Sequence, residues 1–540
     1  MKKRLLLLVL VLPLLFSIFN TTLPSIDISS KWSTNQALAT ELATPAKIEL
    51  TPEEKDLSVR DAIGENGVVT SASPIASKVG LEILRKGGNA IDAAVATAFT
   101  LGLVEPFASG LGGGGFMLIH LAETGEDVFV DFAVTAPGAA KPNMFIGSKA
   151  SISRTGTSVL VPGEVDGLLT ALENYGTMSR KDVLEPVIRL AEEGFEVPPF
   201  LSQVLMDAYE ELSKDAETAK LFINDILPYL EGDIFVNKDY ANTLKRIMKE
   251  GRDGFYKGPV AQAIVDAVRK DGGVMTLKDL EDYETKIRKP VRGNYRGYDI
   301  VSSPPGSSGG TVVIEALHIA ENFDIKSLGV NTVDSLHLWS EIFRLIQGDR
   351  LDYVVDSDFE KVPLEGLTSK EYAKQRMKLI DLEKRSPNRK GGNPWPYESP
   401  STTHVSVLDK YGNAVSLTQT IGTYFGSYVV PKGLGFLLNN SMSNFATTLP
   451  NYVNRIQPHK RPRSTMSPTI VLKDGQPYLV VGSPGAGRIV STVILAISNI
   501  IDHGMDVQEA INTGRIHQER EGPIDVEGNI PEEVREGLIK

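Results

Sequence analysis

The amino-acid sequence predicts an α+β fold, and three observations carry that prediction. Apolar residues recur at helical spacing over residues 75–84 and fill residues 90–103, giving a helical pair interrupted at Gly87 and Gly88. Residues 116–121 and 128–132, two apolar runs separated by the polar 123–127, read as one β-hairpin, and residues 402–420 alternate with period two about a turn and read as another. Helical patterns dominate residues 166–280, so helices and strands come in blocks rather than in strict alternation.

Composition narrows the function. Of 540 residues, 41% are hydrophobic and 23% charged, which excludes general disorder and a polytopic membrane protein. The net charge is −12, from 56 basic and 68 acidic residues, so no broad basic face is expected and nucleic acid is excluded as a partner. Cysteine is absent, which removes thiol nucleophiles, disulfides, Cys-bound zinc and iron–sulfur clusters. The seven histidines are scattered, with no HExxH motif and no i, i+4 pair, so neither a metal nor another cofactor is expected.

Taken in order, Met1-Lys2-Lys3-Arg4 and the apolar residues 5–19 read as an export signal. Ala37-Leu38-Ala39 fits a small-x-small cleavage site, so residues 1–39 are a signal peptide or, uncleaved, an N-terminal anchor. The protein is then secreted or extracytoplasmic, touching a membrane only through residues 5–19. Residues 40–66 form a polar, flexible tether, and order begins near Gly67. Gly110-Leu-Gly112-Gly-Gly-Gly115 matches GxGxxG but leads into a strand, so it reads as a close-packing glycine loop rather than a dinucleotide site. Gly306-Ser-Ser308-Gly-Gly310 matches GxSxG between a strand at 298–302 and a helix, and the alternative function is a serine α/β-hydrolase using Ser308.

Residues 385–401 hold four prolines and two glycines among 17, a long loop that ends where a hairpin begins. If residues 409–413 are a five-residue connection, Leu408 faces Ala414, His404 faces Thr418 and Thr402 faces Thr420; a two-residue turn at Tyr411-Gly412 would set Thr402 against Ile421. Facing pairs have Cβ atoms about 4.5–5.5 Å apart, which would bring two threonine hydroxyls together. Residues 478–482 read as a strand, 483–487 as a tight loop and 488–501 as an apolar helix, whose first backbone N–H groups suit a developing oxyanion.

The run STTHVSVLDKYGNAVSLTQT, followed by LLNNSMSNF, RPRSTMSPT and GSPGAGR, resembles the γ-glutamyltransferase family of N-terminal-nucleophile hydrolases. GGNAIDAAVA, EPFASGLGGGGF, VPGEVDGL, GFYKG, PPGSSGG and HLWSEIFRLIQGDR precede it in the family's order, so the resemblance covers about residue 67 to the C-terminus. It implies a four-layer αββα sandwich and a zymogen that cuts itself between Ser401 and Thr402. The products would be a large subunit, 67–401, and a small catalytic subunit, 402–540, which stay partners. Thr402 would be the nucleophile, cleaving γ-glutamyl amides of glutathione-like or poly-γ-glutamate-like donors and passing the acyl group to water or an amino acid. The resemblance further assigns Thr420 to orienting the nucleophile, Gly485 and Ala486 to the oxyanion hole, and Ser464 and Thr465 to the substrate carboxylate. A processing-dead, exported binding protein is the non-enzymatic alternative.

Departures from the family concern the substrate's head group. Its carboxylate-binding arginine is Ala133 here, and its α-amine ligands are Ser441, Asn444 and Gly422. Losing a guanidinium and a carboxylate weakens the case for a free glutamate head, unless Arg463 or Arg488 replaces the charge. Residues 402–540 number 139 and end within a helical pattern, where the family continues into closing strands, so either this member is trimmed or the chain is incomplete, and a missing strand would expose a sheet edge.

Overall fold

The computed structural model describes residues 61–147, 152, 154–387 and 402–540. The leader, most of the tether, Ser401 and the greater part of the proline-rich loop lie outside the described residues. Ten strands make two antiparallel sheets: β1 (Gly67–Ser71), β2 (Gly114–Leu121), β3 (Glu126–Phe132), β4 (Lys286–Arg288), β5 (Val291–Tyr295), β6 (Tyr298–Ser302), β7 (Thr403–Asp409), β8 (Ala414–Thr420), β9 (Thr469–Lys473) and β10 (Gln476–Val481). The larger sheet runs β1-β7-β8-β2-β3-β4 and the smaller β10-β9-β6-β5. β10 is thus an edge strand. The principal helices are α1 (Pro74–Arg85), α2 (Ala90–Val104), α3 (Gly309–Ala320), α4 (Val333–Tyr353) and α5 (Arg488–Ile501).

Local chemistry starts the first two helices. Pro74 sits in the opening turn of α1, where its missing N–H is harmless. Asn89 caps α2, accepting from Ile91 N and Asp92 N, while Asp92 reaches back to the Asn89 N–H. Every residue of α2 is buried, Asp92, Thr97 and Thr100 included, and the helix packs on β7 and β8. α3 packs on β5, β6 and α5.

β2 is buried on both faces, and its alternation divides the core. Met117 and Ile119 join the apolar cluster of α1 and α2, whereas Phe116 and Leu118 join that of α3 and α5. The two sheets touch through small polar groups. Ser406 Oγ donates to Val480 O at 3.2 Å, Ser416 Oγ donates to Val481 O at 3.1 Å, and Thr469 N donates to Ser416 Oγ at 3.1 Å.

The glycine loop packs as expected. A Cβ would fall 2.1 Å from Leu437 O at Gly112 and 2.2 Å from Thr420 O at Gly113, so only glycine lets this backbone pass behind β8. Residues 164–281 are mainly helical but also hold short antiparallel pairs, Phe195–Glu196 with Ile234–Phe235 and Ile223–Asn224 with Leu227–Pro228, which periodicity did not reveal. The final helix, Glu532–Ile539, matches the helical pattern at the end of the sequence.

Candidate active site

The hairpin β7–β8 has the five-residue connection. Asp409 N donates to Asn413 O at 3.1 Å, and Asp409 Oδ1 accepts from the N–H groups of Tyr411 and Asn413. The pairs are Leu408 with Ala414, Ser406 with Ser416, His404 with Thr418 and Thr403 with Gln419. The two-residue alternative, with Thr402 against Ile421, is therefore excluded. Thr402 is buried at the open end of the hairpin, and its Oγ1 donates to Thr420 Oγ1 at 3.4 Å. Thr420 Oγ1 also accepts from Gly422 N at 2.9 Å.

One cleft is lined by Thr402, Thr420, Ser441, Asn444, Ser464, Thr465 and Ala486, which brings together every described site residue that the family resemblance assigns except Gly485; Ser308 does not line it. Gly485 precedes Ala486 in the turn, with φ +124°, and Ala486 has φ +51°. An alanine in the left-handed region carries roughly 1–2 kcal/mol of strain. Local bonds hold it there: Thr465 Oγ1 donates to Ala486 O at 2.8 Å, Arg488 N to Gly485 O at 3.0 Å and Ile489 N to Ala486 O at 3.1 Å. Arg488 opens α5, so the turn's backbone N–H groups stand at a helix N-terminus.

Ser308 has a different task from the one its motif suggested. It is fully buried, its Oγ donates to Ser464 O at 2.6 Å and its N–H reaches the same carbonyl at 2.9 Å. The preceding strand belongs to an antiparallel sheet, not to the parallel sheet of an α/β-hydrolase. The GxSxG element thus fixes the Ser464–Thr465 loop, and the nucleophile-elbow alternative is corrected.

The head-group wall is short of charge. Ala133 and Gly422 line the cleft, and a Cβ on Gly422 would fall 2.0 Å from Asn440 Oδ1. That oxygen accepts from Thr423 N at 2.9 Å, so no side chain is accommodated at position 422 without displacing Asn440. Arg463 reaches the cleft wall, but its Nε donates to Val354 O at 2.7 Å and its Nη2 to Leu351 O at 3.0 Å. Arg488 pairs with Asp525 at 2.6 Å on the surface.

Two neighbours of the nucleophile carry perturbed groups, and of these only Glu105 escapes sequence reasoning, since the hairpin count sets His404 against Thr418. Thr403 Oγ1 donates to Glu105 Oε2 at 3.1 Å, and burial pushes the Glu105 carboxyl up to about 7. His404 lies between Thr418 Oγ1 at 2.9 Å and Ser406 Oγ at 3.0 Å, packed on Gly482, and desolvation pushes its imidazole down to about 3. It is neutral at pH 7 and a weak base. No local motif marks Glu105, because its contact with Thr403 depends on the tertiary fold, whereas the partners of His404 lie in its own hairpin.

The family model for gamma-glutamyltranspeptidase matches residues 76–540. The chain is 39% identical over 494 residues to the glutathione hydrolase proenzyme of Bacillus subtilis (strain 168), covering 87% of this chain and 84% of that one. It is also 39% identical over 494 residues to the acylase ACY 1 proenzyme of Pseudomonas sp. (strain SE83), covering 89% and 87%. Among solved structures it is similar to a cephalosporin acylase from Bacillus halodurans, with a TM-score of 0.81 and 28% identity over 93% of this chain and 91% of that one. With the match, the relatives and the shared fold agreeing, the chain is an enzyme of the gamma-glutamyltranspeptidase family of N-terminal-nucleophile hydrolases.

Proposed function

We propose that the chain cuts itself between Ser401 and Thr402 and then uses Thr402 to cleave γ-glutamyl amide bonds. The observation that carries this reading is the Thr402 hydroxyl, 3.4 Å from that of Thr420, in a cleft also lined by Ala486. In self-cleavage Thr402 Oγ adds to the Ser401 carbonyl carbon, the C–N bond breaks, and the nitrogen takes up the hydroxyl proton. Water then adds to the resulting ester and leaves an acid on Ser401 and a free Thr402. The released α-amine has an ordinary pKa of about 7.7–8.0, so near neutrality it serves as the general base.

In turnover the amine takes the Oγ proton as the oxygen attacks the γ-carbonyl, and returns it to the departing amine. Water, or the amine of an amino acid, then releases the acyl group. Thr420 orients the nucleophile, and the N–H groups of Gly485 and Ala486 receive the oxyanion. Ser464, Thr465, Ser441 and Asn444 meet the donor's head with neutral hydrogen bonds, weaker than charge-assisted ones. The preferred donor therefore has an acylated α-amine, as inside a γ-linked polymer or in an acylated side chain. That the relatives include both glutathione hydrolases and acylases supports such latitude.

The same reading takes residues 67–401 and 402–540 as interleaved subunits of a four-layer αββα sandwich, exported by the N-terminal segment. Denaturing mass spectrometry tests it. The wild type should give two fragments meeting at Ser401/Thr402, Thr402→Ser should still process, and Thr402→Ala should stay intact. A wild-type chain that remains whole, or a Thr402→Ala chain cut at that bond, refutes it.

A further inference from the structure

Behind the 485–487 turn lies a chain of polar contacts that the reaction described above does not use. Gly487 follows Ala486 and is the last residue before α5. A Cβ on Gly487 would fall 2.6 Å from Glu519 Oε1 and 3.6 Å from His517 Nε2, so these side chains fill the space against its backbone. Glu519 Oε1 accepts from His517 Nε2 at 3.1 Å, and the other ring nitrogen, Nδ1, meets Ser491 Oγ at 2.9 Å. Ser491 is in the first turn of α5 and also donates to Arg488 O at 3.1 Å. Arg350 Nη2 of α4 stands 4.0 Å from Glu519 Oε2.

The order serine, histidine, carboxylate imitates a hydrolytic triad, but Ser491 is 3% exposed and does not line the cleft. Proton accounting clarifies its part. Ionised Glu519 only accepts, so Nε2 carries a hydrogen. Ser491 has one proton to place, and Arg488 O and His517 Nδ1 both lie within its reach. These contacts tie the first turn of α5 to residue 519, which lies against Gly487 and is not among the residues that line the cleft.

We propose that Ser491, His517 and Glu519 are positioning residues that brace the oxyanion turn from behind, holding the Gly485 and Ala486 N–H groups on the developing oxyanion. This rests on the reading of those two N–H groups as the oxyanion donors. A brace of this kind acts on the transition state more than on the bound donor, because the ground-state carbonyl does not yet need both hydrogen bonds. Removing an oxyanion donor outright lowers turnover by about 10²–10³, and tilting one should lower it by roughly tenfold.

The test uses processed enzyme carrying Glu519→Gln or Ser491→Ala, the second in case the first fails to process. An amide donor turned over by the wild type gives kcat and KM, and a γ-boronate analogue of glutamate probes the tetrahedral adduct on Thr402. Expected is a kcat lowered about tenfold, boronate affinity weakened by a similar factor and KM within twofold of wild type. Wild-type kcat and boronate affinity in both variants would overturn the proposal, as would a raised KM with unchanged kcat. Thr402→Ala is assayed alongside: its continued turnover refutes the nucleophile reading itself, whereas an inactive Thr402→Ala beside unaffected Glu519 and Ser491 variants refutes the brace alone.

Discussion

Replacing Thr420 with valine keeps the shape of the side chain and removes its hydroxyl. In the native site that oxygen accepts from Gly422 N at 2.9 Å and from Thr402 Oγ1 at 3.4 Å, and donates to Gly422 O at 3.4 Å. Valine leaves the Gly422 N–H without its acceptor. Gly422 is half-buried, so water relieves part of the loss, and the stability change sits at the low end of the range for an unmet donor, about 1 kcal/mol. The nucleophile loses one neutral hydrogen bond and its fixed rotamer, together roughly 1–2 kcal/mol of barrier, which corresponds to a fall of about 5–30-fold in kcat/KM. Thr420→Ser keeps the hydroxyl and should stay within about threefold of wild type. Steady-state turnover of the processed enzymes, with self-cleavage followed on denaturing gels, reads both effects. A Thr420→Val enzyme that processes and turns over like the wild type would refute the assignment of Thr420 to orienting Thr402.

Other expectations follow from the same neighbourhood. Ser308→Ala should cost about 1 kcal/mol in thermal stability, since the Ser308 N–H still serves the Ser464 carbonyl, with only a modest change in activity; stoichiometric labelling of Ser308 by a fluorophosphonate would contradict this. Burial lifts the Glu105 carboxyl from 4.5 to about 7, so between those pH values the folded protein holds a proton that the unfolded chain has released. Stability from this group is therefore full below pH 4.5 and falls as pH rises to 7, and Glu105→Gln should flatten that fall in thermal melts at pH 5 and pH 8; unchanged pH dependence would count against the buried carboxyl. A head-group wall whose lining arginine, Arg463, is engaged with the Leu351 and Val354 carbonyls predicts a higher kcat/KM for a γ-linked oligoglutamate than for glutathione, and a clear preference for glutathione would show that a charge still reaches the head.

Strand period and turn length reach far in this chain. Counting outward from residues 409–413 places Thr402 opposite Thr420, because β7 and β8 keep strict period two and Asp409 closes the turn. The glycine run at 110–115 was legible for a similar reason: successive glycines before a buried strand mean close backbone approach. Other features depend on partners remote in sequence. β1 pairs with β7 across more than 300 residues, Glu105 meets Thr403 only because α2 packs on β7, and Asn440 closes the space over Gly422 through a loop no local pattern describes. GxSxG misled in the opposite sense, since a tight strand-to-helix turn needs small residues whatever its serine does.

The strand order of the larger sheet bears on how a cut enzyme would endure. Reading across it, residues before the proposed junction supply β1, residues after it supply β7 and β8, and earlier residues return with β2, β3 and β4. Before cleavage, opening and reclosing this sheet is a first-order event within one polymer. After cleavage each loss of the sheet frees two pieces whose reunion is second order and depends on concentration. Maturation would thus exchange reversible folding for persistence set by the unfolding barrier, and a dilute mature enzyme would fail by dissociating once rather than by equilibrating.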